Sequence, residues 1–183
     1  MTTRFKTRAL RCALPLLTAG AALPAAATVN TNVYVVNQIG NTVSVINAKN
    51  QVAATVTVGS SPSGVAVSPN GKRVYVTNAG DNTVSVIDAD TNNVAATLAV
   101  GSVPTGIVVS PDAKRVYVAN LGDSTVSVID AGNHQVTSRP AGNGPFSIAV
   151  GPIGSDRLYT GNLNDNTVSV IDPKIYQTTK TVE

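Results

Sequence analysis

The chain has 183 residues, with 13 lysines and arginines against 10 acidic residues, one histidine, one cysteine and no tryptophan. One histidine and one cysteine do not make the clusters that zinc, copper or haem ligation requires, so no metal or cofactor is expected. The net charge of +3 is carried by the start of the chain, and 4% aromatic residues are too few for a platform that stacks nucleic-acid bases.

Residues 1–27 stand apart from the rest. MTTRFKTRALR carries Arg4, Lys6, Arg8 and Arg11 with no acid, and CALPLLTAGAALPAAA follows, ending in Ala25-Ala26-Ala27. A basic stretch, a short apolar stretch and a small-residue cleavage site describe a secretory signal peptide. Pro15, Gly20 and Pro24 interrupt the apolar run, which is short for a bilayer span; an uncleaved anchor is the alternative. Cleavage after Ala27 removes four of the 13 basic residues and leaves nine against 10 acids, a net charge of −1. The expected location is the periplasm, the cell surface or the medium. Cys12 leaves with the signal, so the remaining chain is stabilised by strand pairing and packing without disulfides.

From Thr28 onward the chain repeats itself. NTVSVIN at 41–47 returns as NTVSVID at 82–88, STVSVID at 124–130 and NTVSVID at 166–172, at offsets of 41, 42 and 42. A fixed period of this length marks a repeat architecture. Short runs rich in Val, Ile, Tyr and Thr, separated by Gly, Asn, Asp and Pro, predict strands, and no stretch sustains a helical period. The first unit, about 28–60, offers three strands. The second, about 61–102, offers four: GVAVS, RVYVTN, TVSVID and NVAATLAV, denoted A to D. The third (about 103–143) and fourth (about 144–183) repeat that order, less regularly in HQVTSRPAGNG and around Pro152-Ile153-Gly154. The prediction is fifteen strands.

The turns follow from their residues. Pro69-Asn70-Gly71 and Pro111-Asp112 suit the A–B reversal. Asn78 to Asn82 supplies residues tolerant of positive φ at the B–C hairpin. Asp88, Asp130 and Asp172 end strand C, where a carboxylate can accept from nearby amides. In TVSVID the valines project to one face and Ser and Ile to the other. Both faces are small or apolar, which suits a sheet buried on two sides. Four-stranded antiparallel sheets stacked around an axis form a β-propeller, here of about four blades, open or part of a larger ring.

These residues also carry a family likeness. VYVTNAGDNTVSVID (74–88), with PSGVAVSPNGKRVYVTN (62–78), resembles the YVTN-type β-propeller repeat of bacterial and archaeal secreted and surface-layer proteins. The likeness covers nearly all of 28–183. It implies a propeller, commonly of seven blades, and brings no shared catalytic motif. This chain departs from it by supplying about four blades, the first without strand A, which leaves a sheet edge for self-association.

Repetition also weighs the candidate chemistry. Ser44, Ser85, Ser127 and Ser169 share one position of one strand, which points to packing, since a nucleophile is singular and sits beside a base. His134 lies in a polar C–D turn without a local triad. Asp81, Asp123 and Asp165 recur on the B–C loops, where turn formation explains them better than a cation ring. Lys72-Arg73 and Lys114-Arg115 balance the acids that end strand C. The expectation is therefore an exported, non-enzymatic propeller presenting a loop face to a protein or cell-surface ligand. A lactonase-type hydrolase, a degenerate quinone-dependent dehydrogenase and a surface-layer or adhesion component are the alternatives. The repeat breaks its own pattern toward apolar residues at Leu121, Phe146 and Leu163, which form the candidate interaction patch.

Overall fold

The computed structural model of the chain describes residues 31–152, 157–172, 174 and 177–182. The expected signal peptide at 1–27 lies outside the described residues. Within them the chain forms fifteen β-strands and no helix. The first sheet has three strands: β1 (Val33–Asn37), β2 (Thr42–Ile46) and β3 (Val52–Thr57). The second has four: β4 (Pro62–Val67), β5 (Arg73–Asn78), β6 (Thr83–Asp88) and β7 (Asn93–Ala99). The third is β8 (Pro104–Val109), β9 (Arg115–Asn120), β10 (Thr125–Asp130) and β11 (Val136–Pro140). The fourth is β12 (Pro145–Val150), β13 (Leu158–Asn162), β14 (Thr167–Asp172) and β15 (Gln177–Val182).

Every pairing is antiparallel between sequence neighbours, as in β5 and β6, where Arg73 faces Asp88 and Tyr75 faces Val86. Strand A starts at its proline, two residues earlier than the sequence suggested. Proline has no N–H to give to a ladder and is tolerated at the first residue of an edge strand, which is where Pro62, Pro104 and Pro145 sit.

The sheets stack in chain order. The A strands lie innermost: β4 packs on β8, β8 on β12, and β1 lies against β4. Apolar layers fill the spaces between sheets. Tyr34, Val43, Val45 and Val56 of the first meet Val74, Val76, Ile87 and Ala89 of the second. Tyr75, Val84 and Val86 meet Val116, Val118 and Ile129 of the third, and Tyr117, Val126 and Val128 meet Leu158 and Ile171 of the fourth. Strand C thus sends its two valines forward and its isoleucine backward. Each fully buried valine contributes about 1.5–3 kcal/mol relative to an exposed one. The molecule is a partial β-propeller of four blades with open sheets.

Candidate functional site

The B–C turns and the linkers between blades form one face, and their hydrogen bonds explain the repeated residues. The first residue of each heptapeptide is left-handed: φ is 52° at Asn41, 55° at Asn82, 57° at Ser124 and 56° at Asn166. Asparagine tolerates this region better than most residues, so the hairpin closes without glycine. The same residues hold the linkers. Asn41 Oδ1 accepts Ser61 N–H at 2.9 Å, Asn82 Oδ1 accepts Val103 N–H at 2.8 Å, and Ser124 Oγ accepts Gly144 N–H at 3.2 Å. From the following blade, Asp81 Oδ2 accepts Ser60 N–H at 2.6 Å and Asp123 Oδ2 accepts Ser102 N–H at 3.0 Å. Each linker is clamped from both sides. In the fourth blade Asn164 takes over from the aspartate, its Nδ2 donating to Asn143 Oδ1 at 3.2 Å, while Asp165 accepts from Thr167 Oγ1.

Asp81 and Asp123 are therefore acceptors for backbone amides, which accounts for their recurrence without a cation. Among the described residues no three His, Cys, Asp or Glu side chains are grouped to hold a metal.

The four serines have a partner of their own. The asparagine ending strand B donates its Nδ2 hydrogens to the Ser and Thr of strand C: Asn37 to Ser44 (2.9 Å), Asn78 to Ser85 (3.0 Å), Asn120 to Ser127 (2.9 Å) and Asn162 to Ser169 (2.8 Å). These serines fix a buried amide and are not poised as nucleophiles. In blades two and three the amide is incompletely served, because Asn78 Oδ1 and Asn120 Oδ1 are buried with no partner among the described residues. In blade four Thr160 Oγ1 donates to Asn162 Oδ1 at 3.1 Å. The linker glycines lie directly on these amides: a Cβ at Gly59 would fall 2.6 Å from Asn78 Cγ, and one at Gly101 2.4 Å from Asn120 Nδ2.

On this fixed backbone the turn tips vary. Leu163 is 59% exposed, and its N–H donates to Gly144 O, which places it beside the linker that leads to Phe146, 52% exposed. Leu121 is half-buried, with its N–H on Val103 O. The structure thus puts two of the three patch residues at the surface of one blade and the third, less exposed, on the blade before it. Ile39, fully exposed in the first B–C turn, belongs to the same face and was missed. Its signal was present, because Gly80 and Gly122 occupy that turn position in blades two and three.

The opposite end of the blades is polar. Arg73 pairs with Asp88, whose Oδ1 also accepts from the amides of Asp90 and Thr91. The Thr91 amide first, then Arg73, hold the Asp88 carboxyl below its ordinary value. Asp130 is lowered by the amides of Asn133 and Gly132, and Asp112 by the Ser110 hydroxyl and the Lys114 amide. His134 is the left-handed residue of its turn (φ 62°), its N–H on Asp130 O.

Solved structures share this architecture. The chain is similar to hydrazine synthase from Kuenenia stuttgartiensis, with 30% identity and a TM-score of 0.77, over 82% of this chain and 45% of that one. It is also similar in fold to virginiamycin B lyase from Staphylococcus aureus, with 15% identity and a TM-score of 0.71, over 82% of this chain and 51% of that one. The chain spans about half the length of both structures. No curated protein matches it. The expectation of a non-enzymatic protein is corrected by the first of these likenesses, because the structure that shares 30% identity is named as an enzyme. It rested on the lack of a constellation within one chain, and a propeller scaffold hosts many chemistries that its repeat residues do not reveal. The family described as YNCE-like beta-propeller matches residues 8–120, more than half of the chain, and the chain belongs to it.

Proposed function

We propose that the chain is an exported propeller whose loop face binds a protein or a cell-surface ligand. One observation carries this reading: apolar side chains, Ile39 and Leu163 foremost, stand exposed on turns tied to the linkers, by Asn41 Oδ1 to Ser61 N–H and by Leu163 N–H to Gly144 O. Variable tips on a fixed scaffold are how binding surfaces are built, and exposed apolar clusters mark contact sites. Phe146 extends the patch and Leu121 supports it from the neighbouring blade. The basic and apolar segment ending at Ala27 supports export to the periplasm or cell surface. The VYVTN spelling of 74–78 supports a place among YVTN-type secreted and surface-layer propellers within the broader family.

The test is a triple variant of the full chain, Leu121→Ser, Phe146→Ser and Leu163→Asn. It should keep the β-sheet signal in far-ultraviolet circular dichroism and bind intact cells at least about ten-fold more weakly. Undiminished binding refutes the loop face. Intact mass of the exported protein checks the signal, with Thr28 expected as the first residue.

The 30% identity to hydrazine synthase favours a second reading, in which the propeller is one domain of an enzyme or of its assembly. In that case the same variant lowers turnover of the assembled enzyme and leaves cell binding unchanged.

A further inference from the structure

The two ends of the arc expose faces that the interior blades bury. In blades one to three, the strand-B tyrosine and the first strand-C valine face the next blade: Tyr34, Tyr75 and Tyr117 with Val43, Val84 and Val126, all at most 6% exposed. The matching residues of blade four are Tyr159, 38% exposed, and Val168, 40% exposed, with Val182 open beside them. At the other end, Val33 and Val35 of β1 match Val74 and Val76, and Val116 and Val118, which are fully buried against the preceding blade. Val33 and Val35 are 58% and 42% exposed. One end presents the residues that every blade offers forward. The other presents those that every blade receives.

The inner corner distinguishes which blade fits. Blades two and three place Gly64 and Gly106 where a Cβ would lie 2.4 Å from Thr105 O and 2.9 Å from Phe146 O, backbone of the next blade's inner strand. Just before them, Ser63 Oγ donates to Pro104 O and Thr105 Oγ1 to Phe146 O, bridging to that same strand. Blade four has Phe146 and Ser147 at these two positions, so it lacks both the hydroxyl bridge and the close-approach glycine. A following blade with an inner strand would meet a bulkier corner. Blade one, among the described residues, has no inner strand.

We propose that blade four of one chain seats blade one of a second copy, with Tyr159 and Val168 packing on Val33 and Val35 and Phe146 at the inner corner, where blade one has no inner strand among the described residues. The interface continues the three already inside the chain, in the same order and with the same residue types. It is heterologous, and two copies close it into a ring if each contributes both ends. The inference goes beyond the loop-face reading and shares only Phe146 with it.

The test compares the full chain with two variants, Val35→Asp and Tyr159→Asp, by light scattering from about 1 to 200 µM, where mass action separates associated from single chains. The unaltered chain should form a two-chain particle. Each variant alone should associate at least about thirty-fold more weakly. An equimolar mixture of the two should recover a two-chain particle, because one copy retains a sound blade four and the other a sound blade one. Both side chains are exposed in the single chain, so the sheet signal should persist. If either variant loses it, Val33→Asp or Val168→Asp probes the same face. An unaltered chain that stays single at 200 µM overturns the proposal, whether its ends then close on each other or take a different protein. So does a dimer that only one of the two variants weakens, which would mean like faces pairing with like. The loop-face triple variant is read on cells, so failure of one proposal leaves the other standing.

Discussion

β6 and β14 are spelled identically, Thr-Val-Ser-Val-Ile-Asp, yet Val84 is wholly buried and Val168 is 40% exposed. The six residues form the same strand, with the same asparagine on the same serine. Only the neighbour differs. Blade two is covered on both faces, and blade four on one. A repeat sequence therefore specifies a blade and its complementarity to another blade, while burial itself belongs to the stack. This is the nearest-neighbour energetics of repeat proteins, in which each unit is stabilised by its interfaces as much as by its own strands.

The sharpest way to break the comparison is to truncate the same side chain in both places. Tyr75→Ala opens a cavity between blades two and three and should cost about 4 kcal/mol. Tyr159→Ala in dilute solution should cost below about 1 kcal/mol, since the ring is partly solvated already. Urea unfolding of the two variants reads the difference, and equal losses would mean that blade four is covered in the single chain.

Next in size is the inner corner. Gly64→Ala pushes a Cβ into Thr105 O of the next blade and should destabilise by about 2 kcal/mol. Ser147→Gly, at the same repeat position of blade four, should change stability by no more than about 1 kcal/mol, because no following blade packs on it among the described residues. Thermal unfolding distinguishes them.

A smaller effect runs in the opposite direction, with the end blade as the better-built one. Thr160 gives Asn162 Oδ1 a donor that Val76 and Val118 cannot give Asn78 and Asn120. Val76→Thr, matched in shape, should supply that donor and raise stability by about 1 kcal/mol. A loss instead would show that the Asn78 carbonyl already has a bound water.

The smallest effect is electrostatic and lies at the polar end of blades two and three. Asp88, Asp112 and Asp130 all have pKa values lowered by the fold, so their contribution is complete above the ordinary aspartate value near 3.8. It is lost as pH falls through the lowered values, because the unfolded chain then binds more protons than the folded one. These carboxylates are exposed and solvent-screened, so the change is modest. Asp88→Asn should flatten the fall in melting temperature below about pH 4, measured by calorimetry in steps of pH.

The strands and turns were legible because their causes are local. Alternation in RVYVTN and TVSVID and the asparagine that turns left-handed each act within a few residues, whereas the start of strand A at its proline was placed two residues late. The repeat weighed Ser85 against a nucleophile and Asp81 against a cation ring, and read them as packing and turn-forming residues without naming their partners. Their partners, Asn78 at seven residues and Ser60 at 21, become visible only when strands are paired and the linker is laid across the turn. Exposure was the least legible property. Leu121 and Leu163 occupy the same repeat position, and one is half-buried while the other is open. No local rule separates them, since the Val103 linker that flanks Leu121 is replaced by Gly144 beside Leu163.

The double clamp on each linker bears on how such a chain is inherited. Ser60 and Ser61, like Ser102 and Val103, present backbone amides to acceptors that stand at fixed places in the flanking turns. Excision or copying of 41 or 42 residues in one piece keeps an asparagine or serine acceptor before each linker, while the aspartate acceptor after it belongs to blades two and three. A gain or loss of repeats in register therefore changes length in whole-blade steps. Copy number becomes a trait on which selection can act, independently of the residues within any one copy.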